Sequence, residues 1–150
     1  MTENGTKYKL LGSGDEAVLA NIAIGVFDNA VSADRAKSFL AEKHNRIAVA
    51  ISGDLVVGMA TGFVYLHLDK PPQLFINEVG VAPPYQRQGI ATELVNLLLA
   101  SARASGCSEA WVATELSNVD ARALYESLDG DEDDDMAVVY TFPVASKPAG

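Results

Sequence analysis

A chain of 150 residues with 49% hydrophobic and 21% charged side chains is long enough to bury a core as one domain, and it is too apolar to be disordered. One cysteine, Cys107, excludes an internal disulfide framework, and no apolar run is long enough to span a bilayer or lead a secretory signal. A cytoplasmic protein without a membrane partner is expected. The net charge of −9 disfavours nucleic acid and suits a cationic ligand, although solubility alone also accounts for an acidic surface.

In chain order, residues 1–6 read as a loose end and residues 8–11 as an edge strand. Asp15 and Glu16 then place two acids in the first turn of a predicted helix. Its apolar positions Val18, Leu19, Ile22, Ala23 and Val26 carry it to about Asp28. Ser32 caps a second helix over 33–42, with Ala36, Phe39 and Leu40 on its apolar side. The period then changes. Residues 46–52 and 55–68 are β-rich and flank Gly53-Asp54, which predicts a hairpin. After Lys70-Pro71-Pro72, a strand is expected over 73–81, then a strong amphipathic helix over 91–104 stopped by Ser105-Gly106. A strand over 109–115 and a short helix to about Leu128, capped by Ser117 or Asn118, complete a strand–helix–strand crossover with parallel pairing. Residues 129–135 form an acidic, solvated loop, 136–142 a last strand and 144–150 a tail. The order implies a single α/β domain, a mixed sheet with helices on both faces. An apolar edge at the last strand is suited to a homodimer.

The sharpest local signal is the stretch from Asn77 to Thr92. A buried strand breaks at Pro83-Pro84, and Gln86-Arg87-Gln88-Gly89-Ile90-Ala91 leads into the long helix. A helix start presents free N–H groups and a positive dipole end, a place for phosphate. The stretch is neither a nucleotide P-loop, lacking GK[ST], nor a dinucleotide fingerprint, since Gly89 is its only glycine. By itself, a glycine after a strand is usually just a turn. Glu78, on the strand upstream, is either a proton acceptor or a structural partner for Arg46 or Arg87. His67, near a strand end, is a weaker base candidate. No metal-ligand pattern is present.

The (Gln/Arg)-x-x-Gly-x-(Gly/Ala) pattern after a strand ending Val-x-Pro resembles motif A of the GNAT N-acetyltransferases. Asn118 and Ala121-Arg122-Ala123-Leu124-Tyr125-Glu126 resemble their motif B, and the likeness covers nearly the whole chain. Within that superfamily, the stretches 86–98 and 121–128 are similar to the small aminoglycoside 3-N-acetyltransferases. One departure is plain: the glycine that follows the motif B helix is displaced by one, to Gly130, and an acidic loop is added.

The resemblance implies a GNAT fold with a splayed strand pair at an acetyl-CoA site, and transfer of acetyl to an amine of a cationic small molecule, an aminoglycoside at its 3-amino group. A polyamine, an amino acid, a protein N-terminus or non-catalytic acyl-CoA binding are the alternatives. Carried onto this chain, backbone N–H groups of Gln88, Gly89, Ile90, Ala91 and Thr92, with Arg87 adding charge, hold the pyrophosphate. Val79, Gly80 and Val81 pair with the pantetheine arm, and Asn118 bonds it. Glu78 accepts the amine proton and Tyr125 protonates the departing thiolate, although the same tyrosine also reads as helix packing. Glu78, Glu115 and the loop acids Asp133, Asp134 and Asp135 would face the cationic acceptor, and Asp28 and Asp34 raise the same question.

Overall fold

The computed structural model describes residues 5–145; the outer parts of both expected loose ends lie outside them. Its centre is a five-stranded sheet in the order β1-β2-β3-β4-β5, formed by Lys7–Leu10, Asn45–Ser52, Leu55–Tyr65, Gln73–Val81 and Glu109–Val112. The first four strands are a purely antiparallel run, and β5 joins β4 in parallel. Parallel neighbours need a crossover, which α2, Ile90–Ala104, supplies. Helix α1, Ala33–Ala41, starts at Ser32, whose hydroxyl accepts the Arg35 N–H at 3.3 Å. Helix α3, Val119–Ser127, starts at Asn118, whose side chain accepts the Ala121 N–H at 3.1 Å.

Alternation along the strands divides two cores between the faces. Ala48, Ala50, Val57, Leu74 and Ile76 meet the inner side of α2, where Ile90, Leu94, Val95, Leu98 and Ala102 recur at helical spacing. On the opposite face, Ile47, Val49, Val56 and Met59 meet Leu19, Val26, Ala36 and Leu40 from the segment around α1. Gly58 lets α2 lie close to the sheet: a Cβ there would come within 3.0 Å of Ile90 Cγ2 and 3.1 Å of Leu94 Cδ1. Arg46 ties the end of α2 to the sheet, donating to Ser101 Oγ at 2.8 Å and Ser105 Oγ at 2.9 Å.

Two expected elements are not formed. The helix over 15–28 shrinks to a 3₁₀ turn, Glu16–Ala20, after which Asn21 to Ala23 run beside Val56 and the chain turns at Ile24-Gly25. Ile22 bridges Val56, the Val56 N–H donates to Asn21 O and the Ala23 N–H to Val56 O, both at 2.9 Å. Backbone groups in a second bonding pattern are lost to a helix ladder, and Gly25 at φ 95° ends any return to helix. Residues 136–142 make no strand; Met136, Val138, Val139, Tyr140 and Phe142 stand 74–84% exposed. The apolar run there has no ladder partner beside it among the described residues, and without paired backbone there is no strand. Boundaries also move: β1 lies one residue earlier than expected, β3 stops at Tyr65 and β5 at Val112, and Thr6 is buried rather than loose.

Leu98 is fully buried between α2 and the sheet, whereas Leu68 is fully exposed. Leu98→Ala is expected to cost about 2–5 kcal/mol by transfer and cavity formation. Leu68→Ala should stay within about 0.5 kcal/mol. Urea unfolding midpoints of the two variants check the difference.

Candidate active site

The site begins where β4 loses a neighbour. Pairing with β5 runs from Gln73↔Glu109 to Ile76↔Val112; beyond it β4 continues to Val81 on β3 alone, while the other chain segment turns away into α3. The parting coincides with a bulge. Thr61 faces Glu78 and Gly62 faces Ile76, so Asn77 is an extra residue on β4. A bulge bends its strand and redirects side chains. Gly62 is required opposite it, since a Cβ there would lie 2.5 Å from Phe75 O.

A cleft of about 460 Å³ opens at the parting. One wall is β4 from Asn77 to Val81, the other is Val112, Ala113, Thr114, Asn118, Ala121 and Tyr125, and the 25–28 loop closes one side. Thus Glu78, Val79, Gly80, Val81, Asn118 and Tyr125, separated by up to 47 positions in sequence, share one cavity. The Glu78 carboxylate accepts only the Thr61 hydroxyl, at 3.4 Å, and makes no ion pair among the described residues. Arg46 is spent on α2, which removes it as a partner for Glu78. Across the cleft, burial against the α2-side core holds the Tyr125 phenol above its usual pKa near 10, so it keeps its proton through neutral pH.

Beside the cleft, Arg87 at φ 62° and Gly89 at φ 79° put left-handed bends on either side of Gln88. Such alternation turns successive N–H groups toward one concavity. Helix α2 follows with no side-chain cap, and its first backbone bond runs from Glu93 N–H to Gly89 O at 3.2 Å. The N–H groups of Ile90, Ala91 and Thr92 therefore precede the helix ladder. A Cβ at Gly89 would meet nothing within 4 Å, so this end of the helix is open. Gln86 is the turn residue that lines the cleft, and its side chain donates to Val81 O at 2.9 Å.

Gly80 has a structural task that sequence reasoning missed. The Val26 carbonyl lies over it, and a Cβ on residue 80 would sit 2.2 Å from that oxygen. Gly25 is matched in the same way to Pro83, 2.7 Å from its would-be Cβ. The pairing of these glycines places Val26, Phe27 and Asp28 over the cleft, so Asp28 lines it while Asp34 does not. Thr61, Met59 and Thr114 were also unforeseen; nothing near them in sequence marks them.

The displaced glycine has a physical explanation. Leu128 ends α3, the Asp129 N–H donates to Glu126 O at 3.1 Å and the Gly130 N–H to Tyr125 O at 3.0 Å. This is a Schellman cap with Asp129 in the left-handed position, φ 64°. Glycine is needed one residue later, because a Cβ at 130 would lie 2.9 Å from Tyr125 O. Glu115, Asp133, Asp134 and Asp135 are exposed and do not line the cleft. The acidic loop is drawn toward α3 instead, through a 3.2 Å ion pair of Glu132 with Arg122. His67 accompanies Tyr65 and Gln73, away from the cleft.

Residues 18–130 match the family model described as "Acetyltransferase (GNAT) family". The chain belongs to that family. Its sheet, with strands parted at the cleft, is the GNAT fold. The GNAT chain is 36% identical over 99 residues to N-acetyltransferase 8 of Homo sapiens, an alignment that takes in 63% of this chain and 42% of that protein. It therefore spans less than half the length of this curated relative. Among solved structures, an aminoglycoside acetyltransferase from an uncultured soil metagenomic sample superimposes with TM-score 0.77 at 20% identity, over 97% of this chain and 100% of that one. The enzyme AAC(6')-Iy, in complex with a CoA–acetylneamine bisubstrate analogue, superimposes with TM-score 0.72 at 18% identity, over 93% and 99%.

The two glycines separate backbone strain from close approach. Gly89→Ala meets open space and is expected to cost about 1–2 kcal/mol from its left-handed backbone alone. Gly80→Ala must also move the Val26 carbonyl. It should cost more and speed amide hydrogen exchange across residues 25–28, which Gly89→Ala should leave unchanged.

Proposed function

We propose that this GNAT chain transfers acetyl from acetyl-CoA directly to an amine of a cationic small molecule. The observation that carries the reading is the pairing of Glu78 and Tyr125 on opposite walls of one cleft that adjoins the open start of α2. The N–H groups from Gln88 to Thr92, with Arg87 close by, receive the pyrophosphate. The β5-facing side of Val79, Gly80 and Val81 takes the extended pantetheine amides as an added strand, and one N–H, that of Val79, polarises the thioester carbonyl. Asn118 uses its oxygen to cap α3, which leaves its NH₂ group for the arm.

Chemistry follows from the two walls. An alkylammonium, with a pKa near about 10, cannot attack until it loses a proton. Glu78 accepts that proton, directly or through one water, and the free amine adds to the thioester carbon. As the C–S bond breaks, the sulfur leaves with the bonding pair and takes the phenolic proton of Tyr125; the second proton shed by the attacking nitrogen restores the phenol, and Glu78 returns its proton to solvent. The amide product and free CoA result, and no covalent enzyme intermediate is required. Burial supports this role of Tyr125, because the raised pKa keeps a proton available at neutral pH.

A second reading names an aminoglycoside as the acceptor. The sequence resemblance and the shared fold of aminoglycoside acetyltransferases favour it, with the 3-amino group indicated by the resemblance and a 6'-type enzyme among the fold neighbours. The acidic loop gives it less support than expected, since Asp133, Asp134 and Asp135 stand outside the cleft.

Thiol release from acetyl-CoA with gentamicin, spermidine and simple primary amines tests the reaction; no release with any amine would overturn it. Glu78→Gln should lower kcat by about 10²-fold or more at neutral pH, with the loss shrinking as the amine deprotonates unaided toward pH about 10. Tyr125→Phe should lower kcat by about 10²–10⁴-fold. The sign for the wild-type alkaline limb follows from the raised phenol: activity should hold up to pH about 10 and fall above it. In Tyr125→Phe that fall should be absent, as a pH–rate profile would show.

A further inference from the structure

The face of the sheet that carries the Glu78 side chain does not end at the cleft. Leu74 and Ile76 point into the α2-side core, as do Ala110 and Val112, so Phe75 and Trp111 point to the other face. Val64 likewise puts Phe63 and Tyr65 there, with Thr61 two residues further toward the cleft. Register places Phe63 beside Phe75 and Phe75 beside Trp111, one cross-strand row removed from the bulge that presents Glu78. Ring centroids are 5.4 Å apart for Phe63–Phe75 and 4.6 Å for Phe75–Trp111; Tyr65 follows at 6.0 Å from Phe63.

None of these rings belongs to either buried core. Helix α1 and the 3₁₀ turn cover the face only over β1, β2 and the first half of β3, so Phe63 is 39% and Trp111 49% exposed. Their polar handles are already used: the Trp111 Nε1–H donates to the Tyr65 oxygen and the Tyr65 hydroxyl to Gln73 Oε1 at 2.9 Å. Gln73 in turn donates to Glu109 at 3.2 Å. The wall thus presents π faces tied together by a hydrogen-bond chain that runs out to the Glu109 carboxylate at one end, with the Glu78 carboxylate at the other; neither acid has an ion pair among the described residues. Surface rings gain by stacking and by attraction to cations.

We propose that this aromatic wall is the acceptor subsite, and that the preferred acceptor is a primary amine carrying an aromatic ring. The ammonium meets Glu78 at the cleft and the ring stacks on Phe63, Phe75 and Trp111. Two residues of β3 separate Thr61, which holds Glu78, from Phe63, a rise of roughly 7 Å. A short carbon tether between ring and nitrogen spans that order of distance. A hydroxyl-rich polycation fits less well, because between Glu78 and Glu109 the wall offers its many donors ring faces rather than acceptors. The inference rests on the acetyl transfer proposed above and chooses among its acceptors.

Trp111 is the sole tryptophan of the chain, so its emission reports the wall directly. Phenethylamine should change that emission saturably, and propylamine should not. In the thiol-release assay, kcat/KM for phenethylamine should exceed that for propylamine, spermidine and gentamicin by at least about 10-fold, the scale of stacking on surface rings. Trp111→Ala, at a half-exposed position, should raise KM for phenethylamine several-fold and leave KM for acetyl-CoA and turnover of propylamine unchanged. If Trp111→Ala folds poorly, Phe63→Leu gives the same comparison. Equal efficiency on aryl and alkyl amines would overturn the subsite, as would emission indifferent to phenethylamine or equal losses on both amines in the variants. Absence of thiol release with every amine would instead refute the reaction, while the emission titration still decides whether the wall binds aryl amines.

Discussion

The site depends on one local failure of pairing. Strand β4 keeps β3 along its whole length but loses β5 after Ile76, at the point where Asn77 is squeezed out as an extra residue. A flat, fully paired sheet would leave no room for an extended ligand and would bury the backbone of Val79–Val81 in its own ladder. The parting converts a structural strand into an incomplete one, whose open side is available to another chain of amides. Close contacts maintain it. Phe75 O over Gly62 and Val26 O over Gly80 fix the bend and the overlying loop where no side chain can fit.

The two faces of the sheet consequently have different work. On one, α2 packs against small residues so closely that Gly58 cannot be replaced without moving Ile90 or Leu94, and this sets the helix start beside the cleft. On the other, the helical cover is short and stops at the middle of β3. The remaining surface is aromatic, and its rings are tied to one another rather than to a second layer. A domain of this size would ordinarily hide such a surface.

The fold was legible where local chemistry decides structure. Ser32 as a cap, Gly53-Asp54 as a hairpin turn, and the apolar stripe from Ile90 to Ala102 act within a few residues of themselves. The failures share a cause. Val18, Leu19, Ile22, Ala23 and Val26 carry a helical period, yet the long-range bonds to Val56 take the backbone groups of Asn21 to Ala23 and leave only the 3₁₀ turn before them. Residues 136–142 are an apolar, β-branched and aromatic run like a strand, but composition cannot supply a neighbour. Glu78, Asn118 and Tyr125 were identified through their motifs and do share a cleft. Thr61 and residues Gly25 to Phe27 were invisible because their place is set by contacts more than fifteen residues away, and the loop acids Asp133, Asp134 and Asp135 stand outside the cleft on a segment whose Glu132 pairs with Arg122 of α3.

The cleft also joins two unequally secured parts of the molecule. Strands β1 to β4 are an antiparallel run of near neighbours, sealed by two cores, whereas β5 is four residues long and nearly everything after Val112 is solvent-exposed. Exposed backbone with few apolar contacts opens at low free energy. Tyr125 and Asn118 belong to this looser part, and Glu78 to the firm one. A cosubstrate lying between them would act as a clasp, binding only when the two are together and lending the weaker part stability through mass action. Order in α3 would then follow the supply of the cosubstrate, and the second half of the proposed catalytic pair would be fully set only in a protein that has something to transfer.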